Sequence, residues 1–408
     1  MMKGDLRSID VRNKKVIVRV DFNVPLDKEF NVTDDTRLRG AIPTIQYLLD
    51  QNAGVILVSH FGRPLAKLLA DGSVDKKKFT LAHVVPSLCA LLGKPVDFYP
   101  DVIGDGVAQK VAALKTGEIL LLENTRFYEG EEKGDPAFAA QLASLSDVYV
   151  NDAFGAAHRA HASTAIMADH YDAAHKAFGF LMQRELESAK KIQDAPAHPF
   201  VAILGGAKVS DKILLIEALL DKADKIIIGG GMAFTFIKAQ GGLIGNSLVE
   251  DDKQELALQL LAKASKLGKT IVLPADTIIA DKFAADANCK NVPSDQIPDG
   301  WMGLDIGLTA RFEYIDHLQG AGTILWNGPM GVFEMEAFAH GTKAIAKAVA
   351  DVTKQGAFSL IGGGDSVAAI EQSGLADEVS FISTGGGAML ELLEGKVLPG
   401  VAAILSEE

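Results

Sequence analysis

Short apolar runs alternate along the whole chain with segments of helical periodicity. The run Phe200–Leu204, for example, ends at Gly205 and Gly206, and apolar residues at helical spacing follow from Lys208. This alternation is typical of a mostly parallel sheet covered by helices. It predicts an α/β fold that binds ligands at the carboxyl ends of its strands.

The length and charge of the chain indicate how many domains it forms and which classes of partner it lacks. A chain of 408 residues favours two or three domains. The formal net charge is −13 and no block of basic residues occurs, so we expect neither nucleic acid nor a membrane as partner. The first residues lack the apolar core of a signal peptide, and no long apolar run follows, which predicts a cytoplasmic protein.

Two lysines follow the glycine turn after residue 204. Backbone N–H groups and the positive end of a helix dipole at such a turn suit an anion. Lys208 and Lys212 are four residues apart, so a helix that starts at Lys208 would place both on one face. They indicate a polyphosphate site, although a solvated lysine face after an ordinary turn explains this stretch equally well.

The first half of the chain places basic residues after four predicted strands, at residues 15–20, 54–59, 118–122 and 147–150. Arginine forks match carboxylate and phosphate oxygens in pairs, so the cluster suggests a small phosphorylated acid. Interdomain ion pairs are the alternative. We do not expect the three histidines of this cluster to bind zinc, because arginines lie among them and no Cys, Asp or Glu lies at ligand spacing. The polar residues at these strand ends are Asp21, Asn23, His60, Arg63, Arg126, His158, Arg159 and His161, with Arg37 on a nearby helix whose main body we expect to begin at Pro43.

A polar stretch with two prolines, Pro196 and Pro199, follows a helical segment at residues 178–192 and marks a domain boundary. Beyond it, three triple-glycine turns follow strands, which implies close approach of the backbone to a ligand. Asp365 stands at one of these turns, where it could hold Mg²⁺ or be a plain helix cap. The GxxxxGK[ST] loop is absent and no dinucleotide fingerprint stands out, so the second half reads as a mononucleotide-polyphosphate domain.

Nine motifs occur in one order along the chain: VDFNVP, SHFGRP, LLENTRF, NDAFGAAHRAH, GGAKVSDK, IIGGGMAFTF, ILWNGPMGVFE, IGGGDS and STGGGA. Together they closely resemble the phosphoglycerate kinase family. The resemblance implies two similar-sized, Rossmann-like α/β domains that face each other across a cleft. It places an N-terminal substrate domain at residues 1–177, a connecting helix and hinge at 178–198, a nucleotide domain at 199–388, and a segment at 389–408 that packs back on the first domain.

The resemblance also implies the reaction, which is reversible, Mg²⁺-dependent phosphoryl transfer between ATP or ADP and 3-phosphoglycerate or 1,3-bisphosphoglycerate in glycolysis. The acceptor carboxylate is already ionised, so the reaction needs positioning, domain closure and charge compensation, with no general base. We expect a monomer whose partners are these small molecules.

The residues that match the family's motifs carry its roles as expectations. Substrate would bind Asp21, Asn23, Arg37, His60, Phe61, Gly62, Arg63, Arg126 and Arg159. Arg37, Lys208, Gly386 and Gly387 would be catalytic, and Asp365 would hold Mg²⁺. The nucleotide would contact Gly206, Ala207, Lys212, Gly230, Gly231, Gly307, Asn327, Glu334, Gly363, Gly364, Asp365 and Ser366.

Three positions depart from the family pattern without loss of a charged group. Leu308 stands where proline is common, and Ser366 and Ala156 stand where threonine is usual. Two other functions remain open on the sequence: a non-catalytic nucleotide-binding regulator, and a kinase for a different acid.

Overall fold

The computed structural model describes residues 3–406. Its strands are β1 (Lys15–Arg19), β2 (Gly54–Val58), β3 (Asp97–Tyr99), β4 (Ile119–Leu122), β5 (Val148–Asn151), β6 (Lys176–Phe178), β7 (Phe200–Leu204), β8 (Lys225–Ile228), β9 (Leu243–Ile244), β10 (Thr270–Val272), β11 (Asp276–Ala280), β12 (Cys289–Pro293), β13 (Gln296–Ile297), β14 (Met302–Ile306), β15 (Thr323–Asn327), β16 (Phe358–Gly362) and β17 (Phe381–Ile382).

The helices alternate with these strands. They are α1 (Thr36–Asp50), α2 (Lys76–Phe79), α3 (Val85–Leu92), α4 (Asp105–Ala113), α5 (Glu129–Lys133), α6 (Pro136–Ala143), α7 (Phe180–Gln193), α8 (Ile213–Leu220), α9 (Met232–Ala239), α10 (Gln254–Lys266), α11 (Leu308–Leu318), α12 (His340–Lys354), α13 (Gly364–Gln372), α14 (Gly387–Leu393) and α15 (Pro399–Leu405).

The chain forms two compact units that divide within α7. Unit 1 comprises Met1–Glu187 and Val397–Glu408, and unit 2 comprises Ser188–Lys396. Each unit contains a six-stranded sheet in which every pair of neighbours is parallel. The predicted α/β fold, with one mostly parallel sheet in each half of the chain, is therefore confirmed.

The sheet of unit 1 has the strand order β3-β4-β2-β1-β5-β6. All five residues of β2 are buried, as expected of a central parallel strand that is covered on both faces. The helix α1 packs onto this core through Leu38, Ile45 and Leu48. We expected its main body to begin at Pro43, but α1 continues through Pro43, and Thr36 at its start is bound by the side chain of Asp34.

Unit 1 is completed by the last residues of the chain. The amide of Gly400, in α15, donates to the carbonyl of Ala157 at 2.9 Å, and Lys176 Nζ donates to Ser406 Oγ at 2.8 Å. The short helix is thereby attached beside the carboxyl end of β5, where part of the predicted substrate cluster lies.

The sheet of unit 2 has the strand order β10-β8-β7-β15-β16-β17. A three-stranded antiparallel sheet, β12-β11-β14, and the short pair β13-β9 are added to it. Trp326 in β15 and Tyr314 in α11 are fully buried in the core beside the main sheet. Within residues 3–406, no helix has the length and apolar character needed to cross a membrane.

Candidate active site

In unit 1, Arg37 is held against the end of β1 by the residues that follow this strand. Its Nη1 lies 3.1 Å from both carboxylate oxygens of Asp21 and donates at 3.1 Å to the carbonyl of Asn23. Asp21 is buried, whereas the Arg37 side chain is 37 % exposed. The arginine is thus fixed at its inner edge while part of the guanidinium remains accessible to a ligand.

The segment after β2 is fixed through the backbone of Gly62. Its amide donates to Asn23 Oδ1 at 2.8 Å, and its carbonyl accepts from Arg126 Nη1 at 2.8 Å. Gly62 has a φ of +59°, and a Cβ there would lie 2.6 Å from the Phe79 ring, so no other residue fits without a shift. This glycine connects three strand ends and sets where Arg63 leaves the backbone.

Asn124 holds the neighbouring residue Phe61 on both sides. Its Oδ1 accepts from the Phe61 amide at 2.9 Å, and its Nδ2 donates to the Phe61 carbonyl at 2.7 Å. Our residue-level predictions did not include Asn124, although it lies in the LLENTRF motif at the end of β4. A buried amide in a strand-end motif is the signal that could have identified it.

Two histidines of this cluster, His60 and His161, are neutral at pH 7. Burial is the main cause that lowers the pKa of His60, and Arg19, Arg126, Arg37 and His161 lower it further. Burial, followed by Arg126 and other neighbouring charges, lowers the pKa of His161 to about 4. The imidazoles therefore offer hydrogen bonds, and the positive charge comes from the arginines. Arg159 Nε also donates to His158 Nε2 at 3.2 Å, which joins these neighbours.

In unit 2, the two lysines after β7 do not lie on a helix, and this part of the prediction is wrong. The helix α8 begins only at Ile213, and Lys212 is its N-cap residue. The intervening segment is bound to Glu250, whose carboxylate accepts from the Ser210 amide at 3.0 Å and from its hydroxyl at 2.5 Å. These bonds replace the first helical turn, so Lys208 and Lys212 are presented by a turn rather than by one helix face.

Glycines let three loops of unit 2 come close together. A Cβ on Gly205 would lie 2.0 Å from the carbonyl oxygen of Pro329. Gly230 has a φ of +68°, and a Cβ there would lie 2.7 Å from both the amide nitrogen and the carbonyl oxygen of Gly206. Backbone therefore packs directly on backbone at the carboxyl ends of β7, β8 and β15.

A cavity of about 330 Å³ opens beside these loops. Lys212 Nζ contacts Asn327 Oδ1, and Asn327 Nδ2 donates to the Gly362 carbonyl at 2.7 Å. Burial lowers the pKa of Lys212. This cavity is lined by Lys208, which we predicted as catalytic, and by eight of the predicted nucleotide contacts, namely Gly206, Ala207, Lys212, Asn327, Gly363, Gly364, Asp365 and Ser366.

A second cavity, of about 540 Å³, shares Gly206, Ala207 and Asp365 with the first. Gly230, Gly231 and Glu334, which we predicted as nucleotide contacts, also line it. Its apolar wall was not predicted, because its residues come from separate loops and strands without a common motif. This wall includes Phe234, Leu248, Pro274, Phe283, Met302 and Met330.

Of the catalytic and nucleotide residues predicted in unit 2, three lie outside the linings of both cavities, namely Gly307, Gly386 and Gly387. A Cβ on Gly307 would meet the side chains of Asp276 and Asn291 at 2.2–2.4 Å, so local packing also requires this glycine. Gly386 and Gly387 are the N-cap and first residue of α14, and their catalytic role stays a prediction. Leu308, the first residue of α11, is 57 % exposed.

Asp365 is the residue to consider for a divalent cation. It lies in the first turn of α13 and lines both cavities. Between residues 3 and 406, no group of three or more His, Cys, Asp or Glu side chains is arranged to hold a metal ion. A single carboxylate, Asp365, lies beside a cavity lined by Lys208 and Lys212, and one carboxylate together with substrate phosphates and water is a usual donor set for Mg²⁺.

Comparison with known proteins gives the same family throughout. The family model described as "Phosphoglycerate kinase" matches residues 6–396. The cytosolic phosphoglycerate kinase of Nicotiana tabacum is 55 % identical over 98 % of both chains, and the phosphoglycerate kinase of Synechococcus elongatus is 54 % identical over 98 % of both. The chloroplastic phosphoglycerate kinase of Volvox carteri is 56 % identical over 98 % of this chain and 85 % of its own.

Two solved structures agree with the fold. Phosphoglycerate kinase from Coxiella burnetii superposes with a TM-score of 0.86 at 40 % identity, and that from Pyrococcus horikoshii with a TM-score of 0.82 at 31 % identity. Both comparisons cover 98 % of each chain. With matches of this extent in sequence and structure, the chain belongs to the phosphoglycerate kinase family.

Proposed function

We propose that this protein catalyses reversible phosphoryl transfer between ATP and 3-phosphoglycerate. The carboxylate oxygen of 3-phosphoglycerate attacks the γ-phosphorus of ATP, the bond to the β–γ bridging oxygen breaks, and ADP leaves with the electron pair. The products are ADP and 1,3-bisphosphoglycerate. The observation that carries the proposal is that one chain combines an arginine cluster in unit 1 with a lysine-lined glycine cavity in unit 2.

The arginine cluster would bind the acid. Arg37, Arg63, Arg126 and Arg159 provide forked donors for carboxylate and phosphate oxygens, and His60 adds a neutral donor. Asp21 and Asn23 hold Arg37, and the carbonyl of Gly62 holds Arg126, through the hydrogen bonds described above. Fixed donors orient the acceptor carboxylate and contribute to the rate because they remove the entropy of alignment from the chemical step.

The two cavities of unit 2 would bind the nucleotide. The 540 Å³ cavity has an apolar wall suited to a base, and Glu334 lies at its edge for the ribose. The smaller cavity offers Lys212 and the start of α13 to the phosphates. Lys208, together with the amides of Gly386 and Gly387, would stabilise the charge on the phosphoryl group during transfer. Asp365 would hold Mg²⁺, which neutralises phosphate charge when it is bound.

Transfer requires Arg37 of unit 1 and Lys208 of unit 2 at the same phosphoryl group. We therefore propose that the units close on the two substrates, with the hinge at residues 178–198, and that closure excludes water. We also propose that the protein acts as a monomer in cytoplasmic glycolysis. Size-exclusion chromatography with light scattering checks the monomer.

The test is ATP consumption in the presence of 3-phosphoglycerate, with the acyl phosphate product detected by coupled reduction. We expect turnover that requires both Mg²⁺ and 3-phosphoglycerate. Tight binding of ADP without turnover would instead identify a nucleotide-binding regulator. Turnover with another carboxylic acid only would identify a different acid kinase.

A further inference from the structure

Arg19, the last residue of β1, has a guanidinium that is completely buried in unit 1. Its Nε donates to Ser163 Oγ at 2.7 Å, its Nη2 lies 3.0 Å from His60 Nδ1, and its Nη1 contacts the carbonyl oxygen of Val20. Arg19 is absent from the predicted substrate contacts, and its burial keeps it from a ligand. Its position beside His60 calls for a different role.

The contact with Arg19 determines where the hydrogen of His60 is. An arginine guanidinium stays protonated in proteins and can only donate. The Nδ1 of His60 must therefore accept through its lone pair, which requires a neutral ring with its hydrogen on Nε2. The charged and titratable groups that act on this ring are Arg19 from β1, Arg37 from α1, Arg126 from the turn after β4 and His161 from the loop after β5, and together with burial they lower the pKa of His60.

The orientation of the Arg19 guanidinium is fixed, through Ser163, by the buried carboxylate of Glu131. The hydroxyl of Ser163 donates to Glu131 Oε1 at 2.5 Å, and the Ser163 amide donates to Glu131 Oε2 at 3.0 Å. A hydroxyl has one hydrogen, so once Ser163 donates to Glu131, its lone pairs face Arg19. Glu131, Ser163, Arg19 and His60 thus form a buried chain in which each donor and acceptor has one assignment.

We propose that Arg19 is a positioning residue for substrate binding. Its guanidinium fixes His60 as a neutral donor through Nε2–H. The inference rests on the proposed function, in which His60 contacts 3-phosphoglycerate. His60 would then give the substrate a directed hydrogen bond that does not change across the neutral pH range. The buried carboxylate of Glu131 balances the charge of Arg19, so no second anion is needed at the site to neutralise this arginine.

The first experiment needs no substitution in the protein that is measured. The full chain is labelled with ¹⁵N-histidine, and the ring signals of His60 are assigned as those lost in His60→Gln. We expect a hydrogen on Nε2, none on Nδ1, and no titration between about pH 5.5 and about pH 8. A hydrogen on Nδ1 in this range would overturn the proposal, whether or not any variant folds.

The second experiment separates positioning from folding. Arg19→Lys keeps the charge but loses the planar fork that reaches three acceptors. We expect the KM for 3-phosphoglycerate to rise about tenfold with kcat changed less than about twofold, and His60 to lose its single tautomer. Arg12→Lys is the matched control, because Arg12 is an exposed arginine of the same unit that pairs with Asp10.

The outcomes divide cleanly. An unchanged KM in folded Arg19→Lys, or equal losses in kcat and in affinity for both substrates, would overturn the positioning role. Absence of turnover in the unsubstituted protein would refute the proposed function instead, and the tautomer of His60 would still decide whether Arg19 fixes the ring.

Discussion

The two candidate half-sites are built in different ways. In unit 1, hydrogen bonds fix the arginine side chains. Arg37 donates to the carboxylate of Asp21, and Arg126 donates to the carbonyl of Gly62, whose amide donates to Asn23. In unit 2, glycine loops pack on one another, and the lysines project from a turn bound to Glu250. Rigid forks suit an acid that must be held in one orientation, whereas amides and lysines suit a phosphoryl group whose position changes during transfer.

The largest effect should come from the lysine that we assign to the moving group. Lys208→Ala should lower kcat by about 10²–10³ with little change in either KM, because a donor to the transition state is lost. Steady-state kinetics measures this, with Lys347→Ala as the control, since Lys347 is an exposed lysine of unit 2 paired with Asp351. A kcat close to that of the unsubstituted protein would remove Lys208 from catalysis.

Unit 1 contains a buried carboxyl group, that of Asp152, which lowers the stability of this unit at neutral pH. Asp152 accepts from the Met182 amide at 3.1 Å, and burial raises its pKa from 3.8 to about 6. A raised pKa in the folded state contributes stability below about pH 4 that is lost as the pH rises through about 6. The free energy of unfolding of Asp152→Asn, relative to the unsubstituted protein, should therefore rise by about 2 kcal/mol between about pH 4 and about pH 7.

Hydrogen exchange of peptides that cover β5 measures this change in unit 1, and peptides from unit 2 provide an internal control. A difference between the two proteins that is independent of pH would show that the pKa of Asp152 is the same in the folded and unfolded states.

The arginine forks should affect affinity more than rate. Arg63→Ala should raise the KM for 3-phosphoglycerate about 10–100-fold with a smaller change in kcat, because a ground-state anchor is lost. Arg39→Ala is the matched control, because Arg39 is an exposed arginine on α1 that pairs with Asp35. An unchanged KM in Arg63→Ala would place this residue outside the substrate site.

The smallest effect tests whether unit 2 depends on backbone contacts. Gly230 and Gly268 have similar φ angles, +68° and +66°, but only Gly230 has backbone atoms within 3 Å of an added Cβ. Gly230→Ala should destabilise unit 2 by about 1–2 kcal/mol more than Gly268→Ala, since only the former overpacks the loops. Both tryptophans, Trp301 and Trp326, belong to unit 2, so urea unfolding followed by tryptophan fluorescence reports on this unit. Equal losses would mean that backbone strain alone determines the cost.

The sequence was sufficient for the parallel sheets because their strands are short apolar runs that end at glycine or charged residues. It did not predict the antiparallel sheet around β12, whose Lys290 and Asn291 are exposed and lack the apolar pattern of a core strand. The predicted start of α8 was wrong for a physical reason. Apolar residues at helical spacing extend back to Val209, but Glu250, which lies outside the helix, binds Ser210 and prevents a helical turn there. That interaction is distant in sequence, so local periodicity could not reveal it.

The same limit applies to the candidate site. Residues such as Arg63 and Lys212 belong to recognisable motifs and could be proposed from them, and their roles remain predictions. Arg19, Glu131 and Ser163 act through one another across more than a hundred residues of sequence, so only the folded structure brings them together.

The attachment of α15 to unit 1 has a consequence for synthesis on the ribosome. Unit 2 is continuous in sequence, whereas unit 1 requires Val397–Glu408 in addition to its first 187 residues. During translation, the contacts of Gly400 with Ala157 and of Ser406 with Lys176 can form only after all of unit 2 has been made. Most of unit 1 precedes unit 2 in the sequence, yet the last hydrogen bonds of unit 1 form after those of unit 2 can form.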